Sequence, residues 1–335
     1  MNEILEITRN GLYCPKGDFH IDPWQPVKRA IITHAHADHA RPGSCSYLCS
    51  KDSKLLLRSR LGHETNIETL KYNENVTFNS VTVSLHPAGH ITGSCQVKIE
   101  SGGKYYVVSG DYNTEANSTC KPIEFLRCHA FVSECTFGLP IFKWPPAEKV
   151  FQEIESWWQN NRMQGRTSIL FAYSMGKAQR VLANINPTIG PILTHGAIQK
   201  INDCYRLIGV RLPDTRYIGD LAQRDIPEGA LVVAPPSADN PAWMRRFPNR
   251  SRAFVSGWMR IRGNRRRRSV DRGFILSDHS DWSGLVRAIV ASEAEKIILT
   301  HGYTREMARW LQEKGYNAEV IPASDDSVKF GGDTI

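Results

Sequence analysis

The sequence predicts an α/β protein of two domains, and three observations carry that reading. At 335 residues the chain is longer than one typical hydrophobic core sustains. Its first 140 residues read as short β-branched runs separated by turns. Beyond Pro145-Pro146, helical and strand periodicities alternate, the pattern of a parallel sheet covered by helices.

In the first part the strand candidates are Val27 to Thr33, Val76 to Leu85, Ser94 to Glu100, Lys104 to Ser109 and Ala130-Phe131-Val132-Ser133. After the two prolines, Val150, Phe151, Ile154, Trp157 and Trp158 make one apolar stripe at helical spacing, closed by Gly165. Its tryptophans are expected in a core. Then follow a strand from Ser168 to Tyr173, a helix from Lys177 to Ile185, a strand from Pro191 to Thr194 and a helix from Ala197 to Leu207. Leu231 to Ala234 and Ala253 to Ser256 are further strands. The tail reads strand (Gly273 to Ser277), helix (Trp282 to Ala291), strand (Lys296 to Thr300), helix (Arg305 to Glu313) and a strand around Val320.

The composition, 41% hydrophobic and 23% charged, is that of a soluble globular protein. No run approaches the ~20 apolar residues of a membrane span, and Met1-Asn2-Glu3 lacks a signal layout, so no membrane association is expected. Eight cysteines without CxxC spacing argue against a disulfide framework or zinc ribbon, and together these features predict a cytoplasmic protein. The net charge of +8 is unevenly placed. Eleven arginines against Asp271 alone give the stretch from Arg245 to Arg272 a charge of +10, which leaves the remainder at −2. Such a patch is the footprint expected for a polyanion, nucleic acid above all.

The chemistry concentrates in Thr33-His34-Ala35-His36-Ala37-Asp38-His39, where four metal-binding side chains fall within six positions just past an apolar run. Imidazole and carboxylate suit a borderline divalent cation. Further acids and histidines stand at the ends of apolar strands: Asp111 after Tyr106 to Gly110, Glu134 after Phe131 to Ser133, His279 after Phe274 to Leu276 and His301 after Ile297 to Thr300. His90 sits in a turn bracketed by Gly89 and Gly93, which lets backbone approach closely.

These residues resemble a known family. His34-x-His36-x-Asp38-His39, His90, Asp111 and His301 are similar, in order and spacing, to the metal motifs of the metallo-β-lactamase fold. Glu134, His279 and His301 fall at the additional motif positions of the β-CASP nucleases, which include RNA-cleaving RNase J and pre-mRNA 3′-end endonuclease groups and DNA crosslink-repair exonucleases. Several phrases look most like the bacterial DNA-ligase-associated exonucleases: Asp22-Pro23-Trp24, Ser174-Met175-Gly176-Lys177-Ala178-Gln179-Arg180, His195-Gly196-Ala197, Ala234-Pro235-Pro236-Ser237-Ala238 and Ser256-Gly257-Trp258-Met259.

The resemblance implies a metallo-β-lactamase αββα sandwich from residues 1–140 and 263–335, with a β-CASP α/β domain inserted at 141–262. It implies that His34, His36 and His90 hold one metal ion, that Asp38, His39 and His301 hold a second, and that Asp111 bridges them. Asp22 would orient a ligand histidine from behind, and Glu134 would support the site, holding His279. Two such ions, about 3.5–4 Å apart, generate hydroxide near neutral pH and neutralise charge growing on a phosphodiester. Zinc is the expected metal, with manganese and iron open. Asp38, Glu134 and His279 are the residues expected to carry the chemistry. His279 reads as general acid or phosphate-stabilising imidazolium, or as a simple brace for Glu134. Lys177, at a strand-to-helix turn, and Arg262, Arg265, Arg266, Arg267 and Arg268 are candidate phosphate contacts, Arg by its planar fork of donors. Helix capping by Ser174 and a solvated arginine loop are the plainer readings of those segments. The expected activity is a DNA repair exonuclease on single strands or strand ends, and the family resemblance adds a DNA ligase and a helicase as partners. A ribonuclease is the alternative. A thioesterase-like hydrolase would need neither the insertion nor the basic segment, and a structural zinc site would leave no position open.

Overall fold

The computed structural model describes residues 4–321, apart from the side chains of Arg265, Arg267 and Arg268. Contacts divide it into two compact units, Met1–Lys143 with Asp278–Ile335, and Trp144–Ser277. The architecture is mixed α/β with three sheets.

The first unit holds two of them. Strands Glu6–Thr8, Gly11–Cys14, Phe19–Ile21, Arg29–Ile31, Ser46–Ser50 and Ile67–Leu70 lie side by side in chain order. The other sheet runs Ala318–Val320, Lys296–Gly302, Ala130–Cys135, Lys104–Val108, Cys95–Ser101, Val81–Pro87, Asn75–Phe78. Alternate side chains of the two meet in one core, with Leu12, Phe19, Ile31 and Leu48 against Val83, Leu85, Val97, Val108 and Val132. On its opposite face the second sheet presents Val107, Phe131 and Leu299 to Leu285 and Ile289 of helix Trp282–Ala291 and to Met307 and Leu311 of helix Thr304–Glu313.

The second unit is a sheet paired in parallel throughout, in the order Arg216–Tyr217, Ile192–Thr194, Leu231–Ala234, Thr167–Phe171, Arg250–Val255, Arg272–Phe274. Helix Ala147–Met163 lays Val150, Phe151, Ile154, Trp157 and Trp158 on it, as the periodicity predicts. The buried indoles are satisfied: Trp157 Nε1 donates to Ser251 Oγ at 3.0 Å and Trp158 Nε1 to the Gly229 carbonyl at 2.9 Å.

Several elements differ from expectation. The run from Val76 to Leu85 is a hairpin, Asn75–Phe78 with Val81–Pro87, in which Phe78 faces Val81. A two-residue turn preserves the period of two, so alternation alone does not reveal it, and Asn79 at φ 53° is the residue type such turns favour. The strand expected over Val27 to Thr33 is laddered only at Arg29–Ile31, because the Thr33 N–H turns to the Asp22 carboxylate. The strand expected from Gly273 to Ser277 ends at Phe274, and the helix from Lys177 ends at Leu182. Since Arg272–Phe274 pairs with Arg250–Val255, the second unit extends to Ser277, whereas the resemblance places the return to the first domain at residue 263. The short strands before residue 22 and helix Lys54–Leu61 escape the sequence reading. In that helix Leu55, Leu56 and Leu57 run consecutively and show no helical spacing.

Candidate metal centre

Each site histidine arrives at a place the fold fixes. The loop after Arg29–Ile31 is anchored by Asp22, which takes Thr33 N–H at 2.8 Å, Thr33 Oγ1–H at 2.5 Å and His39 Nδ1–H at 2.7 Å. That last bond fixes the His39 tautomer and leaves Nε2 facing inward, 3.4 Å from Asp111 Oδ1 and 3.7 Å from Asp38 Oδ2. His90 Nδ1 donates to the Asp278 carbonyl at 2.8 Å, so its Nε2 meets His36 Nδ1 at 3.2 Å and Asp111 Oδ2 at 3.8 Å. His34 Nε2 lies 3.5 Å from Asp111 Oδ2. The His301 ring stacks on His39 with centroids 5.1 Å apart.

Two glycines make this crowding fit. Gly110, at φ 55°, sits where an added Cβ would come within 2.6 Å of Thr33 Cβ and Oγ1. Gly93, at φ 80°, lets the Ser53 backbone come as close as 2.4 Å to where its own Cβ would lie, the close approach foreseen around His90. His301 is delivered by a bulge: the ladder between Ala130–Cys135 and Lys296–Gly302 slips one residue after Glu134, and His301 takes φ 55°.

The residues present fit divalent metal. His34, His36, His90 and Asp111 place one ligand atom each within 4.8 Å of one another. The buried Nε2 atoms of His34 and His39 have no hydrogen-bond partner, a costly state for polar atoms out of water and one that a bound cation would relieve. Burial, reinforced by His39, holds His34 well below the ordinary histidine range, and burial with His279 and His36 does the same to His90. Both are therefore neutral imidazoles; the His90 Nε2 lone pair faces His36 Nδ1, and His34 Nε2 is left without a partner. Burial pushes His39 down, but Asp111, Asp38 and Asp22 outweigh it and raise it well above that range. Asp111 remains well below the usual carboxylate range despite burial, held there by His39, His279 and His34. This polarised set is what a cation finds complementary.

Asp111, Glu134 and His279 form a second close group. There both Glu134 oxygens face His279 Nδ1, at 2.9 and 3.0 Å, while Oε1 also accepts the Tyr112 N–H and Oε2 the N–H and hydroxyl of Thr136. A carboxylate so occupied orients a ring and has little left for an ion. The sequence reading gave Thr33 no role beyond opening the motif, and it missed Arg60, whose Nε donates to the Ala35 carbonyl at 2.7 Å and steadies the motif loop. No local pattern marks either residue.

The nucleic-acid candidates fare differently. Lys177 is buried in the second unit with its Nζ 4.9 Å from the Tyr173 ring centroid. It opens a six-residue helix whose Gly176 N–H is taken by Gln179 Oε1, so Ser174 is not the cap. Arg262 and Arg266 are exposed on helix Arg262–Arg268, in place of the solvated loop; the side chains of Arg265, Arg267 and Arg268 lie outside the described residues.

A mixed α/β protein with a histidine–aspartate centre suited to metal is thus defined. No family model matches the chain. It is 30% identical over 324 residues, 96% of its length and 31% of the relative's, to a probable DNA ligase of Opitutus terrae. It is 26% identical to RNase aCSPSF2 of Saccharolobus solfataricus over 47% of this chain and 38% of that one. To the DNA cross-link repair protein SNM1 of Arabidopsis thaliana it is 28% identical over 44% of this chain and 32% of that protein. The chain spans about a third of the length of these relatives. A solved protein of unknown function from Enterococcus faecalis shares the fold, with a TM-score of 0.61 at 13% identity over 88% of this chain and 79% of that one. These homologues are consistent with a β-CASP metallo-β-lactamase nuclease.

Proposed function

We propose that the chain is a metal-dependent nuclease acting on DNA strand ends, built as a metallo-β-lactamase αββα sandwich with Trp144–Ser277 as its inserted β-CASP domain. The observation that carries this reading is the convergence of His34, His36, His39 and His90 on Asp111, with the buried Nε2 atoms of His34 and His39 left without a hydrogen-bond partner. His34, His36, His90 and Asp111 would hold one ion, and Asp38, His39, His301 and Asp111 another, with zinc favoured by the imidazoles. When bound, such ions supply activated water and neutralise phosphoryl charge.

The chain's own residues do the rest. Asp22 keeps His39 in the ligating tautomer. Glu134 fixes His279 through Nδ1, so that Nε2 can carry a proton to the leaving oxygen while the ring stays oriented. Arg262 and Arg266, exposed on the second unit, are fork-shaped donors of the kind suited to nucleic-acid phosphates. DNA is favoured because the similarity spanning 96% of the chain is to part of a probable DNA ligase, which also makes a ligase the partner of choice; a helicase rests on the resemblance alone. The similarity to RNase aCSPSF2 favours the second reading, a ribonuclease.

DNA and RNA strands labelled at either end, incubated with chelator or with zinc, manganese or iron, test the proposal. Metal-dependent DNA shortening from one end is expected. Chelator-resistant cleavage, or cleavage of RNA alone, would overturn it.

A further inference from the structure

Three aromatic rings that take no part in the metal centre cluster at the carboxyl ends of the parallel strands in the second unit. His195 follows strand Ile192–Thr194 and caps helix Gly196–Ile208, its Nδ1 accepting the Ala197 N–H at 3.1 Å. Tyr217 ends the adjacent strand Arg216–Tyr217. Its ring lies over Gly196, where an added Cβ would stand 3.0 Å from it, and over Gly219, where one would stand 2.2 Å away. Trp243 meets the His195 ring edge-on at 6.0 Å and leans on buried Phe247 at 4.9 Å.

These rings are held in place. Asn240 Oδ1 accepts the Trp243 N–H at 3.1 Å and caps the short helix Pro241–Met244. Arg246 Nη2 donates to the carbonyls of Ile218 and Leu221, at 2.9 and 2.8 Å, which clamps the segment carrying Trp243 to the turn that follows Tyr217. Tyr217 nevertheless remains 41% exposed, and His195 and Trp243 are only half-buried. Arg216 and Arg245, both exposed, stand one position before Tyr217 and two after Trp243 in the chain, and Arg245 begins the stretch whose charge is +10. Fixed, partly exposed π faces on a unit that carries the basic stretch match a polyanion with flat, unpaired bases. In open α/β sheets, moreover, ligands gather at the carboxyl ends of the strands.

We propose that His195, Tyr217 and Trp243 form a stacking platform for the unpaired bases of a single-stranded nucleic acid. The choice of polymer rests on the nuclease reading, and the test separates the two. Fluorescence anisotropy of the full chain in chelator, with labelled oligothymidylate and with an abasic strand of equal length, measures binding without cleavage. Trp243→Ala and Tyr217→Ala are expected to weaken oligothymidylate binding about ten- to a hundredfold, with abasic binding unchanged and Trp243→Phe within about threefold of the unaltered chain. Unchanged oligothymidylate affinity in both alanine variants would overturn the platform. So would an equal loss on the abasic strand, which would mark a phosphate or folding effect. If no metal supports cleavage while ring-dependent binding persists, the nuclease reading falls and the platform stands.

Discussion

Replacing Asp22 by Asn tests whether a carboxylate outside the ligand set governs metal affinity. Asp22 accepts from three donors, the Thr33 N–H, the Thr33 hydroxyl and His39 Nδ1–H. An amide has one acceptor oxygen and one NH2 in place of two acceptor oxygens. Its oxygen can keep the Thr33 N–H, and the Thr33 hydroxyl can rotate to accept. His39 then faces a donor at Nδ1 and must change tautomer, which moves its proton to Nε2, the atom aimed at Asp111 and Asp38. Loss of such a supporting partner typically costs 10–100-fold in metal affinity, about 1.4–2.7 kcal/mol. Backbone strain does not confound the substitution, since Asp22 sits at φ 44° and Asn tolerates that region as well as Asp does. Competition with a chromophoric zinc chelator reads the affinity, and thermal melting in chelator reads the metal-free fold. Unaltered affinity in Asp22→Asn would refute the tautomer reasoning, as would a collapse of the melt in chelator, which would show Asp22 to be a fold anchor instead.

Four further outcomes are expected. Glu134→Gln, which removes the paired acceptor behind His279 Nδ1, should lower the cleavage rate by about 10²-fold or more while metal affinity changes less than tenfold; rate and affinity measured on one preparation decide it. Gly110→Ala should cost about 1–3 kcal/mol of stability in chelator melts, because its Cβ meets Thr33 at 2.6 Å and φ is 55°, and metal affinity should fall with it. Burial pushes the Cys49 and Cys128 thiols up to about 12, so their contribution to stability is present below the ordinary value of 9.0 and is lost as pH rises from there through 12. Alkylation at pH 8 should label exposed Cys45 quickly and buried Cys14, Cys49, Cys95, Cys128 and Cys135 only on unfolding, as mass spectrometry of timed samples would show.

How much of this was legible in the chain depends on the range of the interaction. His34, Asp111, Glu134 and His301 could be picked out because each ends or follows an apolar run; His34 and Asp111 come just past their strands, while Glu134 and His301 are the penultimate residues of theirs. The helix bearing Trp157 and Trp158 was legible for the same reason, since its period is local. The anchoring of Thr33 by Asp22, eleven positions away, was not, because a side chain that ends a ladder leaves no periodic trace. Nor was the bulge after Glu134: it changes the register between two strands without changing the residue types in either. The aromatic cluster has the same origin, since only the pairing of Arg216–Tyr217 with Ile192–Thr194 brings Tyr217 over Gly196.

The centre itself depends on an order of strands that no local window contains. Glu134 pairs with Thr300, so the strand carrying Glu134 and the strand carrying His301, a proposed ligand, are neighbours across a crossover that includes the whole second unit. A crossover that long pays its loop-closure entropy only logarithmically, which is why a domain can be inserted there without losing the ladder. The consequence is that His301 reaches His39 through the parallel register of Ala130–Cys135 with Lys296–Gly302, and a one-residue slip in that register would turn its imidazole to the opposite face. The bulge, by fixing which residue stands out of the ladder at that point, is therefore as much a determinant of the proposed metal centre as the histidine it presents.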